Sequence, residues 1–268
     1  MNNMKYFAGI DIGSLFSKVV IIDEKSKIKA YSILQSGAIY KGAAETAMNN
    51  TLAKAELSMG DISYIISTGY GRARVPFADS QVTEISCHGR GANFVFPEVR
   101  TIIDIGGQDS KVIEVNKEGK AVKFAMNDKC AAGTGRFLEV MAVSLDVDLS
   151  EMSTLAEKSR TDVEISSMCT VFAESEVISL FAQGTEKADI ALGVYRSIAR
   201  RVTGLFGQVG KKEKVAMTGG VAKSKGMVEA LEKSIKTTLM VPEEPQIMGA
   251  LGAALIAREK FMQAQKPA

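Results

Sequence analysis

Two short segments of this sequence place an aspartate and a glycine turn between apolar, β-branched runs: Asp11-Ile12-Gly13-Ser14 and Asp104-Ile105-Gly106-Gly107-Gln108-Asp109-Ser110. A strand that ends in Asp-x-Gly offers backbone N–H groups that phosphate oxygens can approach closely, because glycine has no Cβ. Its carboxylate can also hold a hydrated Mg2+. One copy alone is better explained as a hairpin corner. Here Ser17-Lys18 follows the first turn, and a third turn, Met217-Thr218-Gly219-Gly220-Val221-Ala222, closes a later apolar run. Three such turns in this order point to phosphate binding. No Gly-x-x-x-x-Gly-Lys-Ser/Thr occurs and no Gly-x-Gly-x-x-Gly follows a strand, so a Walker-A loop and a dinucleotide fingerprint are both excluded.

The cysteines raise a second chemistry. Cys130 lies in the small-residue loop Asn127-Asp128-Lys129-Cys130-Ala131-Ala132-Gly133-Thr134-Gly135-Arg136-Phe137, and Cys169 lies just before Thr170-Val171-Phe172-Ala173-Glu174. Each precedes a predicted helix, where the positive helix N-terminus favours a thiolate or a negatively charged thiolate-ligated cluster. Thr170 is the expected N-cap of the second of these helices. Spacing leaves two readings open: packed small hydrophobes, since no Cys-x-x-Cys is present, or ligands. Two thiols cannot complete a four-ligand site, whereas a twofold dimer bringing together one pair from each subunit would supply the four thiolates of a [4Fe–4S] or zinc site. Cys87, in Ser86-Cys87-His88-Gly89, has no partner at ligand spacing and reads as packed. His88, the single histidine, reads as a local hydrogen-bonding residue.

The elements that must position these residues follow from periodicity. Strands are expected at 4–11, 17–23 and 28–34, a helix at 43–57, and a strand at 62–67 leading into Thr68-Gly69-Tyr70-Gly71. A second round opens with strands at 100–105, 110–115 and 121–126. Helices at 137–143, 170–181 and 189–206 come next, the last with Val194, Ile198, Val202 and Leu205 at three- and four-residue spacing. A short strand at 214–217, a helix at 223–235, a strand at 239–241 and a closing helix from about 249 complete the pattern. The doubled hairpin implies two related lobes facing one cleft. The first is residues 1–97, rejoined by the closing helix 249–264, and the second is 98–248, carrying the cysteines.

Composition narrows the partners. The 268 residues are 46% hydrophobic, and Lys+Arg 33 against Asp+Glu 31 are interspersed rather than gathered in a stripe, which argues against nucleic acid. No window is apolar enough for a membrane span, and the start shows no export leader. Three cysteines without a signal fit reduced thiols, so a cytoplasmic protein is expected.

Taken together, the turns resemble the actin, Hsp70 and sugar-kinase group, with a ribonuclease H-like α/β fold: two phosphate loops and, at Thr218-Gly219-Gly220, the adenosine loop. That resemblance implies ATP with Mg2+ between two lobes, held by Asp11, Gly13, Ser14, Ser17 and Lys18 from one turn and by Asp104, Gly106 and Gly107 from the other. Gln108 or Asp109 would stand near the attacking water, Gly133, Thr134 and Gly135 beside the nucleotide, and Gly219 and Gly220 under the nucleoside. Gln246 would face adenine, or simply occupy a surface turn. The chemistry is then phosphoryl transfer to water or a hydroxyl.

The segments around Cys130 and Cys169, with Asp-Ile-Gly-Gly-Gln-Asp, closely resemble the activators of 2-hydroxyacyl-CoA dehydratases, relatives of the ATP-binding subunits of benzoyl-CoA reductase. The resemblance implies a homodimer bridged by one [4Fe–4S] cluster on Cys130 and Cys169. Ferredoxin or flavodoxin would reduce the cluster, and ATP hydrolysis would drive one electron into a dehydratase. Two rivals stand beside it: a pantothenate- or amino-sugar-kinase-like enzyme, and a non-redox ATPase switch with a zinc-stapled dimer.

Overall fold

The computed structural model describes residues 4–36, 40–167, 169–210 and 214–265; Met1–Asn3, read above as carrying no leader, and Met168 beside Cys169 lie outside them. The chain opens with a β-meander, β1 (Tyr6–Ile12), β2 (Phe16–Asp23) and β3 (Ile28–Gln35). It continues through α1 (Tyr40–Ala55), β4 (Ile62–Thr68), β5 (Ser80–Gln81) and α2 (Glu84–Val95). A second meander, β6 (Thr101–Ile105), β7 (Ser110–Val115) and β8 (Ala121–Asn127), leads to the helices α3 (Gly135–Ser144), α4 (Met152–Ala156), α5 (Thr170–Ala182) and α6 (Lys187–Val209). Then come β9 (Val215–Thr218), α7 (Lys225–Ile235), β10 (Leu239–Met240) and α8 (Met248–Ala264). The two sheets run β3-β2-β1-β4-β5 and β10-β9-β6-β7-β8. In each, the first hairpin is antiparallel and the strand on its other side is parallel.

The chain divides into two compact units. One comprises residues up to Arg100, Val115–Val122 and the chain from Pro242 onward; the other comprises Thr101–Glu114 and Lys123–Val241. In the first unit β1 and β2 are apolar on both faces, because both faces are covered. Phe7, Val20 and Ile22 turn to α8, while Ala8, Ile10, Ile12, Val19 and Ile21 turn to Ala44, Ala47, Met48 and Leu52 of α1. α8 is buried from Met248 through Leu255, and it lies so close to the sheet that a Cβ on Gly9 would overlap the Ala250 carbonyl. In the second unit Ile103, Ile105, Val112, Val215 and Met217 meet a helical layer in which α6 contributes Val194, Ile198, Val202 and Leu205, the stripe predicted from spacing. Burying one such side chain contributes about 1.5–3 kcal/mol.

Most expected elements are present, with shifted ends. α1 stops two residues early, since Glu56 adopts φ 57° and the Leu57 N–H returns to Leu52 O. α2, α4 and β5 had no predicted ranges. The expected helix at 223–235 is split by Ser224, the N-cap of α7. The Thr170 cap is corrected by one position. Cys169 holds extended cap geometry (φ −88°, ψ 133°), and its carbonyl accepts the Ala173 N–H at 2.9 Å, making Thr170 the first helical residue.

Candidate functional site

In the first unit, Asp11 at the end of β1 stands directly across the antiparallel ladder from Lys18, and Lys18 Nζ reaches Asp11 Oδ2 at 3.1 Å. The Gly13 N–H donates to Phe16 O at 3.0 Å and closes the turn. Behind it, the buried Ser17 hydroxyl meets Ser36 Oγ at 2.9 Å, and Ser36 Oγ donates to Gly13 O, so Ser17 braces the turn from inside. Ser14, next to Gly13, is partly exposed. β4 runs parallel to β1 with Thr68 opposite Asp11. Gly69 follows at φ 85°, and a Cβ there would overlap Asp11 Oδ1. On the other side a Cβ on Gly249 would stand 2.9 Å from both Asp11 Oδ2 and His88 Nε2. Small residues thus let main chain close in on a carboxylate that is only 4% exposed.

The second unit repeats this plan. Asp104 faces Lys111 across the β6–β7 ladder, and Lys111 Nζ lies 3.4 Å from Asp104 Oδ2 and 2.8 Å from Asp109 Oδ1. Thr218, opposite Asp104 in the parallel register, donates its hydroxyl to Asp104 Oδ1 at 2.8 Å. Gly219 adopts φ 85°, as Gly69 does, and a Cβ on it would overlap the Ile105 carbonyl. The Gly106 N–H donates to Asp109 O at 2.9 Å, and Gln108 projects at the exposed tip of the turn. Gly220 begins the short 3-10 turn to Lys223.

Lys111 and the Thr68-Gly69 pair were missed in the sequence. Their signal was available. Lys18 and Lys111 both stand seven positions after their aspartates, and Thr-Gly recurs at 68–69 and 218–219.

The Cys130 loop is bonded to the second turn. Gly106 O and Gly107 O accept from Gly135 N at 2.9 Å and Arg136 N at 2.8 Å, so the main chain that shapes the turn also fixes the start of α3. Thr134 is fully buried and turns its N–H and hydroxyl to Ala131 O. Asn127 Nδ2 donates to Cys130 O at 2.8 Å and Ala132 O at 3.0 Å. Gly133, at φ 89°, packs on the aliphatic stem of Arg201 in α6.

All three cysteines are free. Cys130 is half-buried and Cys169 is exposed. Cys87 is buried, and burial pushes its thiol up to about 12, with the Asp11 charge adding to the rise. Among the described residues no three His, Cys, Asp or Glu converge as a metal site. No described helix is long and apolar enough to cross a membrane. Gln246 sits in the 3-10 turn before α8, its N–H on Glu244 Oε1 at 3.2 Å.

Residues 8–257 match the model of the BadF/BadG/BcrA/BcrD ATPase family. The chain is 46% identical over 261 residues to a 2-hydroxyisocaproyl-CoA dehydratase activator of Clostridioides difficile, covering 97% of this chain and 98% of that protein. Component A of (R)-2-hydroxyglutaryl-CoA dehydratase from Acidaminococcus fermentans superposes with a TM-score of 0.93 at 46% identity, covering 96% of this chain and 99% of that one. An activator of 2-hydroxyisocaproyl-CoA dehydratase from Clostridium difficile with bound ADPNP gives 0.91 at 44% identity, covering 98% and 99%. The fold is that of the actin, Hsp70 and sugar-kinase group.

Proposed function

The chain belongs to the BadF/BadG/BcrA/BcrD ATPase family, and from that premise we propose that it is the ATP-dependent activator of a 2-hydroxyacyl-CoA dehydratase, delivering single electrons to that enzyme. The observation that carries the coupling is the pair of hydrogen bonds from Gly135 and Arg136 to the carbonyls of Gly106 and Gly107. A shift of the turn on phosphate binding is felt five residues from Cys130 through main chain alone.

In this reading Asp11 and Asp104 would hold hydrated Mg2+, which would supply charge neutralisation at the transferred phosphoryl group. The donors and acidic oxygens fit that ion. Each carboxylate is buried at a strand end, and each is oriented by a lysine that also offers positive charge to phosphate oxygens. Gly13, Ser14, Gly106 and Gly107 present backbone N–H groups to phosphates, and Gln108 or Asp109 orients the attacking water. Gly133, Thr134 and Gly135 transmit the position of the second turn, Gly219 and Gly220 leave room for the nucleoside, and Gln246 faces the adenine.

Cys130 and Cys169 fit a shared [4Fe–4S] cluster. They are free thiols and neither is fully buried; two per chain would be completed to four by a second copy. Such a cluster supplies a low-potential one-electron carrier. Ferredoxin or flavodoxin is the donor in this reading, and three free thiols suit a reducing cytoplasm. The kinase rival gains no support from the named relatives, which are dehydratase activators.

The test is iron and sulfide content with a visible spectrum on protein purified without oxygen, comparing wild type with Cys130→Ala and Cys169→Ala. About four irons per dimer, lost in both variants, is the expected result. Iron-free, colourless wild type that still hydrolyses ATP overturns the electron-donor reading.

A further inference from the structure

Cys169 is reached through residues 159–167, which form no helix or strand, yet side chains from two helices secure this segment along its length. At its start the buried Asp189 of α6 accepts hydrogen bonds from Ser159 Oγ at 2.8 Å, Arg160 N at 2.6 Å, Thr161 N at 3.0 Å and Thr161 Oγ1. Further along, Arg200 of α6 pairs with Glu164 and donates to Ile165 O at 2.8 Å. At its end Glu176, two turns into α5, accepts on Oε1 from Ser166 N and Ser166 Oγ, and on Oε2 from Ser167 N, each at 2.9 Å. The last bonds clamp the chain two residues before the thiol to the same helix that Cys169 caps. The exposed cap is thereby held at both sides, by Ala173 N–H after it and by Glu176 before it.

We propose that Glu176 is a positioning residue for Cys169: by clamping Ser166 and Ser167 it fixes where the thiol stands, without touching the metal. The assignment of Cys169 as a ligand rests on the cluster reading, whereas the clamp itself does not. A carboxylate suits the task because both of its oxygens accept, while glutamine offers one acceptor and sets an amide donor against another N–H.

The first arm of the test uses the metal-free chain. Iodoacetamide labelling of Cys169 and Cys130 is followed site by site by mass spectrometry in wild type, Glu176→Ala, Glu176→Gln and Ser166→Ala. Loss of charge-assisted hydrogen bonds should raise the Cys169 rate by on the order of tenfold in Glu176→Ala, less in Glu176→Gln and least in Ser166→Ala, with Cys130 unchanged as the internal control. Equal acceleration of both cysteines, or no change at Cys169, overturns the proposal. Should Glu176→Ala fail to fold, the glutamine and serine variants carry the same comparison. The second arm reconstitutes wild type and Glu176→Gln with iron and sulfide and follows the cluster's visible absorbance, which should bleach severalfold faster in the variant; equal bleaching overturns the positioning role. Wild type that takes up no cluster sinks the cluster reading alone, and the labelling arm still decides the clamp.

Discussion

The two glycine turns share a plan down to the opposed lysine and the Thr-Gly pair at the end of the neighbouring parallel strand, yet they differ in what surrounds the aspartate. Asp11 has one ammonium, on a lysine whose side chain is 14% exposed. Asp104 shares a lysine only 4% exposed with Asp109 and takes a further hydrogen bond from Thr218. The second turn also bonds the main chain leading away from Cys130. The two turns thus share one plan, while the second is joined by these bonds to a cysteine loop. In the proposed reading the first turn holds phosphate, and the second holds it and reports.

The largest expected effects test whether the turns are equal in chemistry but unequal in signalling. Asp11→Asn and Asp104→Asn should each lower kcat for ATP hydrolysis by on the order of a hundredfold or more, since positioned charge carries most of phosphoryl transfer. In the metal-free wild type, ATP should change the Cys130 alkylation rate; Asp104→Asn should abolish that change, and Asp11→Asn, measured at saturating nucleotide, should not. An equal loss of that response in both variants breaks the asymmetry.

Stability should separate the turns next. Lys111→Met removes the ammonium shared by the buried Asp104 and the part-exposed Asp109, and is expected to cost about 3 kcal/mol by urea unfolding. Lys18→Met removes an ammonium from one buried carboxylate, and because that lysine is the better solvated of the two it is expected to cost less, about 2 kcal/mol. The glycines give the matching control. Gly69→Ala and Gly219→Ala place a side chain at the same φ of 85° against a carbonyl, so each should cost about 2 kcal/mol or more, and by similar amounts. A large difference between them would mean that the two turns are not built alike.

How much of this was legible in the sequence depended on range. The hairpins and their Asp-Ile-Gly turns were readable because β-branched runs and a glycine a few residues apart fix them locally. The stripe on α6 was readable for the same reason. Thr68-Gly69 read only as a turn, because its role comes from parallel pairing with a distant strand. Lys111 lay inside an expected strand, and only its register opposite Asp104 gives it meaning. α2, with Gly89 and Gly91 inside it, lacks the helix propensity that marks a range; Gly91 serves close packing on Met248 instead. Glu176 and Asp189 were invisible because their partners are main-chain N–H groups of a segment without periodicity.

The smallest effect concerns what lies behind the first turn. Cys87, with its thiol pushed up to about 12, is protonated in the folded chain well above the pH at which an unfolded thiol ionises, near 9. A raised folded pKa means that the stabilising contribution is complete below pH 9 and is lost as pH rises from there toward 12. At pH 10 the unfolded chain gains about 1 kcal/mol from thiolate formation that the folded chain cannot match. The difference in unfolding free energy between wild type and Cys87→Ala should therefore be flat from pH 7 to 8.5 and shrink in wild type's disfavour above 9. The same burial predicts that iodoacetamide at pH 8 modifies Cys130 and Cys169 in the native, metal-free chain and reaches Cys87 only after denaturation. Rapid native labelling of Cys87 would mean that the floor beneath Asp11 opens readily, and the first turn would then lose the rigidity that distinguishes a holder from a reporter.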